Sequence, residues 1–584
     1  MNIVITAEGI VSAIGNNTAE VLQSLRAGTT GIGAMRYLQS VHKHLPVGEV
    51  KMSDAEMKAA LGIDEAKEVS RTSLMGMLAV SQLAPSLPSA DKARMVLISG
   101  TSVGTMDITE KYFPTMADDT DCSYLDYHGC GGSTECIADH FGVFADVATP
   151  STACSSAANA ILLGANLIKS GQADIVVAGG TEALSIFHFN GFRSLMILDQ
   201  ERCRPFDATR QGLNLGEGAA YVVLESEESA RRRGAEIHAY LSGYGNACDA
   251  FHQTASSADG EGAYRAMTEA LATAGLAPAD IDYVNAHGTG TPNNDQSESA
   301  ALRRVFGDTM PPVSSTKSFT GHTTSASGSI EAVICLLAMR HGFIPANLGW
   351  ANQMTDGITP TLGADHATVR NVVCNSFGFG GNDSSLVFTA SAPTAADPYE
   401  FDADKPIKVL SRVEITSEEA LSDIRNYVKP MEARRMGRLL KSSYLASCKA
   451  LEQAGITMPD AIITGTAFGC LDNSEKLLVQ LRDGGEEAIS PTLFMQSTHN
   501  TIGSNIAIRT RCHGYNTTYS QGDRSLEWGV RDAEMLLRSG RCRTVLVGCH
   551  DESRPMVNAL LERLHLPVPE YPVHSIAMVL SCGE

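Results

Sequence analysis

Positive charge is what this 584-residue chain has least of: 45 Lys and Arg stand against 66 Asp and Glu, a formal net charge of −21. No broad basic surface is available to neutralise phosphates, which argues against nucleic acid as a partner. No apolar run approaches the roughly 20 residues needed to cross a bilayer. The opening Met1-Asn2-Ile3-Val4-Ile5-Thr6 lacks a basic region and reads as a first strand, not a signal peptide. The 14 cysteines include no C-x-x-C pair and no metal-like Cys/His spacing, so no metal site is expected and they read as reduced, mostly buried small hydrophobes. Charged residues are scarce as well, 19% against 43% hydrophobic, which excludes a disordered chain. A cytoplasmic, globular protein of more than one domain is expected.

What is present is an alternation of short apolar runs and helical patterns. Ile175–Gly179 and Tyr221–Leu224 read as strands and Ala158–Lys169 as a helix ended by Ser170-Gly171, an α/β pattern with helices on both faces of the sheet. A stretch rich in Ala, Pro and Asp near 390–405 has no periodicity and reads as a linker, bounded at 393–405. The chain beyond this linker repeats the chain before it. Ser99-Gly100-Thr101 and the residues after it are echoed by Thr464-Gly465-Thr466, a lag of 365 residues, and Lys169-Ser170-Gly171 by Arg538-Ser539-Gly540, a lag of 369. Two matched blocks in one order favour a duplicated domain over a chance likeness of glycine-rich strand ends. The copy, 406–584, corresponds to about the first 230 residues of the 1–392 unit.

Four segments carry chemistry. In Thr152-Ala153-Cys154-Ser155-Ser156-Ala157 a cysteine among small residues precedes a helix, where free N–H groups and the helix dipole favour a thiolate. His287-Gly288-Thr289-Gly290-Thr291-Pro292 comes after a strand-like Ile281–Ala286, and Lys317-Ser318-Phe319-Thr320-Gly321-His322 precedes Glu331. Histidines on small-residue loops at strand ends lie where α/β active sites collect. Asn375-Ser376-Phe377-Gly378-Phe379-Gly380-Gly381-Asn382 has the glycines that let backbone N–H groups approach a ligand oxyanion.

These blocks, with Arg204-Pro205-Phe206-Asp207 and Gly216-Glu217-Gly218, resemble in order and type the elongating β-ketoacyl synthases of fatty acid and polyketide synthesis, over residues 1 to about 390. The resemblance implies a thiolase-like fold of two pseudo-equivalent αβαβα halves, here 1–240 and 241–392, and a homodimer or association with another ketosynthase subunit. It implies Cys154 as acyl-accepting nucleophile, and His287 and His322 as the pair that binds and decarboxylates a malonyl thioester. Lys317 and Glu331 match the charged pair supporting the second histidine and Phe377 the gating phenylalanine; the backbone N–H groups of Cys154 and Phe377 would form the oxyanion hole, with Gly378 in the same oxyanion and gating segment. Thr289 and Thr291 match positions contacting phosphopantetheine. Substrates arrive on acyl carrier protein, and no bound cofactor or metal is implied. Ser325-Ala326-Ser327-Gly328 and Asn382-Asp383 depart from the common Gly-Ala-Ala-Gly and Thr-Asn.

Residues 406–584 resemble the N-terminal half of the same fold, an incomplete second half domain. The 369 lag places Asp523 where Cys154 stands, so this part resembles the nucleophile-less chain-length-factor group. The apolar face Leu439-Leu440…Leu445…Leu451 is expected to bury against the first unit, and Arg434, Arg435, Arg438 and Lys441 form a basic cluster that could meet an acidic carrier protein or simply face solvent. Three other readings stand beside the synthase: a malonyl decarboxylase or priming factor, against which the intact Cys154 argues; a non-catalytic scaffold, which fits only the C-terminal part; and a thiolase, which would need a second catalytic cysteine where Cys374 precedes Asn-Ser-Phe-Gly.

Overall fold

The computed structural model describes residues 1–584 except 90, 91, 117–122, 394, 396, 488 and 584. Its first sheet has ten strands: β1 (Ile3–Ser12), β2 (Met95–Gly100), β3 (Asp146–Ala148), β4 (Ile175–Glu182), β5 (Gly218–Ser226), β6 (Ala239–Cys248), β7 (Tyr283–Asn285), β8 (Val313–Ser314), β9 (Asn371–Gly378) and β10 (Asn382–Thr389), ordered β3-β2-β4-β5-β1-β6-β10-β9-β7-β8. The second has β11 (Ile407–Ile415), β12 (Ala461–Gly465), β13 (Tyr515–Tyr519), β14 (Thr544–Glu552) and β15 (Val573–Cys582), ordered β11-β15-β14-β12-β13.

By position in the sheets, one five-stranded unit occurs three times. β1–β5, β6–β10 and β11–β15 share the same neighbour order and the same mix of two parallel and two antiparallel pairings. Even the irregularity repeats: the first strand of each unit carries one extra residue, Thr6, Ser242 and Leu410, against its antiparallel neighbour. Such a bulge bends an opening strand, and its recurrence marks common descent of the three units more sharply than the apolar pattern does.

Strands β2, β4 and β5 are buried almost throughout because helices cover both faces. Between the two halves of the first sheet, the helices Ser156–Lys169 and Ser327–His341 pack on one another, and both are buried over nearly their whole length. A Cβ at Gly328 would lie 2.9 Å from the Ala158 nitrogen, so only glycine permits this approach. Each of these helices starts at an active-site turn, so their packing brings the two turns together.

The second sheet docks on the first through equivalent segments. Ser151 N–H donates to Thr518 O (2.8 Å) and Ser520 N–H to Thr149 O (2.9 Å), so the residues following β3 pair antiparallel with β13 about a pseudo-twofold axis. Around this seam Arg524 and Arg531 bind Asp146 (2.8 and 2.7 Å), and Thr149 Oγ1 donates to Gln521 Oε1 (2.8 Å). The connection between β10 and β11 lies down on both units: Lys169 pairs with Asp397 (2.5 Å), and the Arg541 guanidinium sits between the rings of Tyr244 and Tyr399.

One expectation about this second unit is corrected. The Leu439–Leu451 face does not bury against the first unit. The helix Arg438–Ala454 covers its own sheet, packing on β11, β14 and β15, because a five-stranded sheet needs that face covered wherever it docks. Arg438, one of the basic cluster, is engaged by Glu418 (2.8 Å) and Glu552 (3.1 Å).

Candidate active site

The turn that carries Cys154 is a short 3₁₀ segment, Ala153–Ser155, that runs into the helix Ser156–Lys169. Ala153 holds a left-handed φ of 52°, a strained value for a residue with a Cβ. The turn is fastened by Thr152 N–H donating to Ser156 Oγ (2.9 Å) and by Ser376 Oγ–H donating to Cys154 O (2.8 Å). The pseudo-equivalent turn of the other half, Thr324–Ala326, has φ 46° at Thr324 and comes just after His322.

The thiol and two imidazoles converge. Cys154 Sγ lies 3.1 Å from His322 Nε2, and Sγ with one ring nitrogen from each of His287 and His322 fall within 4.8 Å of one another. All three are buried. The His322 Nδ1 is 3.0 Å from Ser327 Oγ, so the serine that departs from the common Gly-Ala-Ala-Gly orients this ring. Lys317 Nζ is 2.6 Å from Glu331 Oε1 and 3.3 Å from His287 Nδ1. An ammonium only donates, so His287 Nδ1 accepts and the ring proton sits on Nε2. The Lys317–Glu331 pair therefore contacts the first histidine, not the second as the resemblance implied. The reason is the short helix Lys317–Thr320, which runs beside the His287 loop where Ser315 Oγ–H donates to Gly288 O (2.6 Å).

Burial dominates the electrostatics. It pushes the Cys154 thiol up to about 12, against the opposing pull of Lys317 and of the backbone N–H groups of Phe379 and Cys154 itself. The helix-terminus argument for a resting thiolate is outweighed. Burial, with the nearby Lys317 charge, holds both imidazoles well below their ordinary value. Burial lifts Glu331 to about 7, with Lys317 opposing it. The resting triad is thus a neutral thiol and two neutral rings.

Phe377 and Gly378 lie at the site, but neither N–H is the one that meets the sulfur. Phe377 is buried inside β9 with its ring 5.9 Å from that of His287. The N–H that faces the Cys154 sulfur belongs to Phe379. β9 ends at Gly378, and only beyond it does the backbone leave the ladder and turn inward, through Gly380 (φ 83°) and Gly381 (φ 75°). Gly378 serves by its size: a Cβ there would come 3.2 Å from the Cys154 nitrogen. The Phe379 ring stacks on Phe192 (5.5 Å).

A chamber of about 410 Å³ opens onto Cys154, His287 and His322, with Thr289, Thr291, Phe377, Gly378 and Phe379 in its wall. Glu298, which the motif reading missed, clamps the histidine loop by accepting the N–H groups of His287 (2.8 Å) and Gly288 (2.7 Å). The sequence shows it only as a glutamate about two turns beyond Pro292, in the helix that follows the histidine loop.

In the second unit the same turn recurs without a thiol. Gly522 has φ 56°, and Gln521 N–H donates to Ser525 Oγ at 2.9 Å. Asp523 stands in the cysteine's place and is exposed.

Comparison with known proteins agrees with this division. Residues 1–230 match the beta-ketoacyl synthase N-terminal domain, 238–351 its C-terminal domain, and 411–584 a second beta-ketoacyl synthase N-terminal domain family. The chain is 34% identical over 404 residues to nodulation protein E of Rhizobium meliloti (strain 1021), covering 66% of this chain and 98% of that protein. It is 32% identical over 421 residues to 3-oxoacyl-(acyl-carrier-protein) synthase 1 of Haemophilus influenzae, again 66% and 98%. The solved structure of the PfaC Keto synthase-Chain length factor shares the fold across 100% of this chain and 78% of its own, with a TM-score of 0.81 at 17% identity. Among the described residues no helix is long and apolar enough to cross a membrane.

Proposed function

Because this chain belongs to the β-ketoacyl synthase family, we propose that it is a 3-oxoacyl-(acyl-carrier-protein) synthase of fatty acid or polyketide synthesis whose nucleophile is Cys154. The observation that carries this is the convergence of Sγ with His287 and His322 within 4.8 Å in a buried chamber.

In the first step the Cys154 sulfur attacks the carbonyl of an acyl thioester delivered by the carrier protein. An S–C bond forms, the carrier thiolate leaves, and the cysteine proton passes by way of His322 Nε2, 3.1 Å away, to that leaving sulfur. With the thiol held up to about 12, deprotonation belongs to the attack itself and not to the resting enzyme. The carbonyl oxygen, briefly an anion, sits between the N–H groups of Cys154 and Phe379. Malonyl thioester then enters along Thr289 and Thr291. Its C–C bond to the carboxylate breaks, CO2 departs, and the enolate oxygen meets the Nε2–H of His287, which Lys317 fixes. The enolate carbon attacks the acyl-Cys154 carbonyl. The new C–C bond forms as the S–C bond breaks, and the Cys154 thiolate takes up one proton from solvent by way of His322, since the proton it first lost left with the carrier thiol. No step calls for a bound cofactor; both substrates ride on phosphopantetheine.

The C-terminal unit is read as a non-catalytic, chain-length-factor-like partner held within the same chain. A mostly apolar cavity between the units, walled by Met106, Phe113 and Phe187 on one side and Phe468, Leu478 and Leu560 on the other, suits the far end of an acyl chain. The edge beyond β3, where a second copy of the chain would add, is held by Thr518–Ser520, so a homodimer built on that edge is not favoured. A purely decarboxylating or scaffolding role would leave Cys154 without work.

The test is intact-protein mass after incubation with acyl carrier proteins of several chain lengths, beside Cys154→Ala. A gain of one acyl group, absent in the variant, is expected. No uptake by wild type, with CO2 still released from malonyl carrier protein, would replace the synthase with a priming decarboxylase.

A further inference from the structure

The second unit brings no nucleophile, yet its side chains reach the loop that carries the Phe379 N–H. Asn500, on the turn before the helix Thr501–Thr510, donates through Nδ2 to Phe379 O (2.7 Å) and to Asn382 Oδ1 (2.7 Å). The N–H of the next residue, Gly380, donates to Gln253 O (2.8 Å). The Phe379–Gly380 peptide is thus gripped at both ends. It needs the grip, since the next two residues are glycines with φ of 83° and 75° and are free to swing. There is no slack either: a Cβ at Gly380 would lie 2.0 Å from Ser504 Oγ. From the same unit, Phe494 packs on Phe192 (5.4 Å), the ring on which Phe379 stacks.

The contact continues. Asn382 Nδ2 donates to Asn516 Oδ1 (3.0 Å), Asn516 N–H to Asn246 Oδ1 (2.8 Å), Asn246 Nδ2 to Asn159 Oδ1 (2.8 Å), and Asn159 Nδ2 to Thr152 Oγ1 (2.8 Å). All five asparagines are buried. Their line starts at the carbonyl of Phe379, the residue of one oxyanion donor, and ends two residues from the other, Cys154. Two of its members, Asn500 and Asn516, come from the second unit. In a water-poor interior each amide is oriented by the next, and a donor turned to face an acceptor's place is costly.

We propose that Asn500 is a positioning residue for acyl transfer: by holding the Phe379 carbonyl it fixes the residue whose own N–H, one peptide earlier in the chain, faces one point with that of Cys154. The second unit then completes the oxyanion site as well as bordering a cavity. This rests on the acyl-transfer reading above.

Two variants of the full-length chain test it. Asn500→Asp keeps the shape and sets an acceptor against two acceptors; Asn500→Leu removes the polar group without adding charge. Three quantities are read: acyl transfer to Cys154 by intact mass, CO2 release from malonyl carrier protein, and the thermal midpoint. The enolate formed on decarboxylation meets His287 and not the Phe379 N–H, so the two rates should separate. Acyl-transfer kcat is expected to fall about 10- to 100-fold with KM unchanged, while CO2 release stays near wild type. Acyl transfer at the wild-type rate in either variant overturns the proposal, and so does a parallel fall of both rates with the thermal midpoint. If folded wild type takes up no acyl group, the acyl-transfer reading itself fails and this proposal with it.

Discussion

The turns at Cys154 and Asp523 have the same backbone and opposite fates. Each comes after a strand, opens with a left-handed residue (Ala153 at 52°, Gly522 at 56°), is closed by an N–H to serine Oγ bond of 2.9 Å, and leads into a buried helix. At Cys154 a third element, the unit β6–β10, covers the turn with two histidines and the Phe379 loop. At Asp523 no described residue plays that part, and the side chain is exposed. The elbow alone is a way to present a residue; reactivity comes from what is folded over it.

Moving the thiol separates the elbow from its cover most directly. In the double variant Cys154→Ala/Asp523→Cys, acyl uptake measured by intact mass is expected to be absent, since the introduced thiol has an elbow but no chamber. Uptake at the second site would show that the chamber is dispensable. A graded version tracks alkylation by a neutral haloacetamide against pH. The Cys154 thiol, raised to about 12 by burial, keeps its proton, so its rate should climb about 10-fold per pH unit through pH 10 without a plateau. The thiol introduced by Asp523→Cys should level off above about pH 9. A plateau near neutral pH at Cys154 would mean that the resting enzyme holds a thiolate after all.

Smaller effects test the seam that joins the two elbows. Ser520→Pro removes the N–H that meets Thr149 O at 2.9 Å and should lower unfolding stability by about 1–3 kcal/mol, read from the denaturant midpoint. Asp146→Ala removes the partner of Arg524 and Arg531. These arginines are part-exposed, so about 1 kcal/mol or less is expected, shrinking as salt is added. A larger loss than that of Ser520→Pro would make charge, and not strand pairing, the main tie between the units.

Much of the site could be read from the chain itself. Cys154, His287 and His322 each sit in a run of small residues, and small residues are what a crowded, buried turn admits. The duplication showed because glycine-rich strand ends tolerate little change. What stayed hidden depended on direction and distance. Phe377 and Phe379 lie two apart in one repeating pattern, and only the end of β9 at Gly378 decides which N–H turns inward. The charged pair was recognised but given to the wrong ring, because spacing along the chain does not say which histidine Lys317 Nζ will meet. The apolar face at Leu439 was visible, but not that its own sheet would cover it. The asparagines that tie Asn500 to Thr152 have no motif, since nothing periodic marks contacts between residues so far apart in the chain.

The seam beside β3 also has a history in time. When the first unit leaves the ribosome, the backbone of Thr149–Ser151 has no neighbour on its outer side, and it gains one only after β13 and the strands that support it have been made. At 5–20 residues per second, the stretch from β10 to β15 takes roughly 10–40 s. Throughout that interval the open edge is a template for another nascent chain. A short connection that lies down on both units sets the local concentration of the tethered strand at about the millimolar level, so the chain's own copy arrives as the favoured neighbour and closes the edge against strangers.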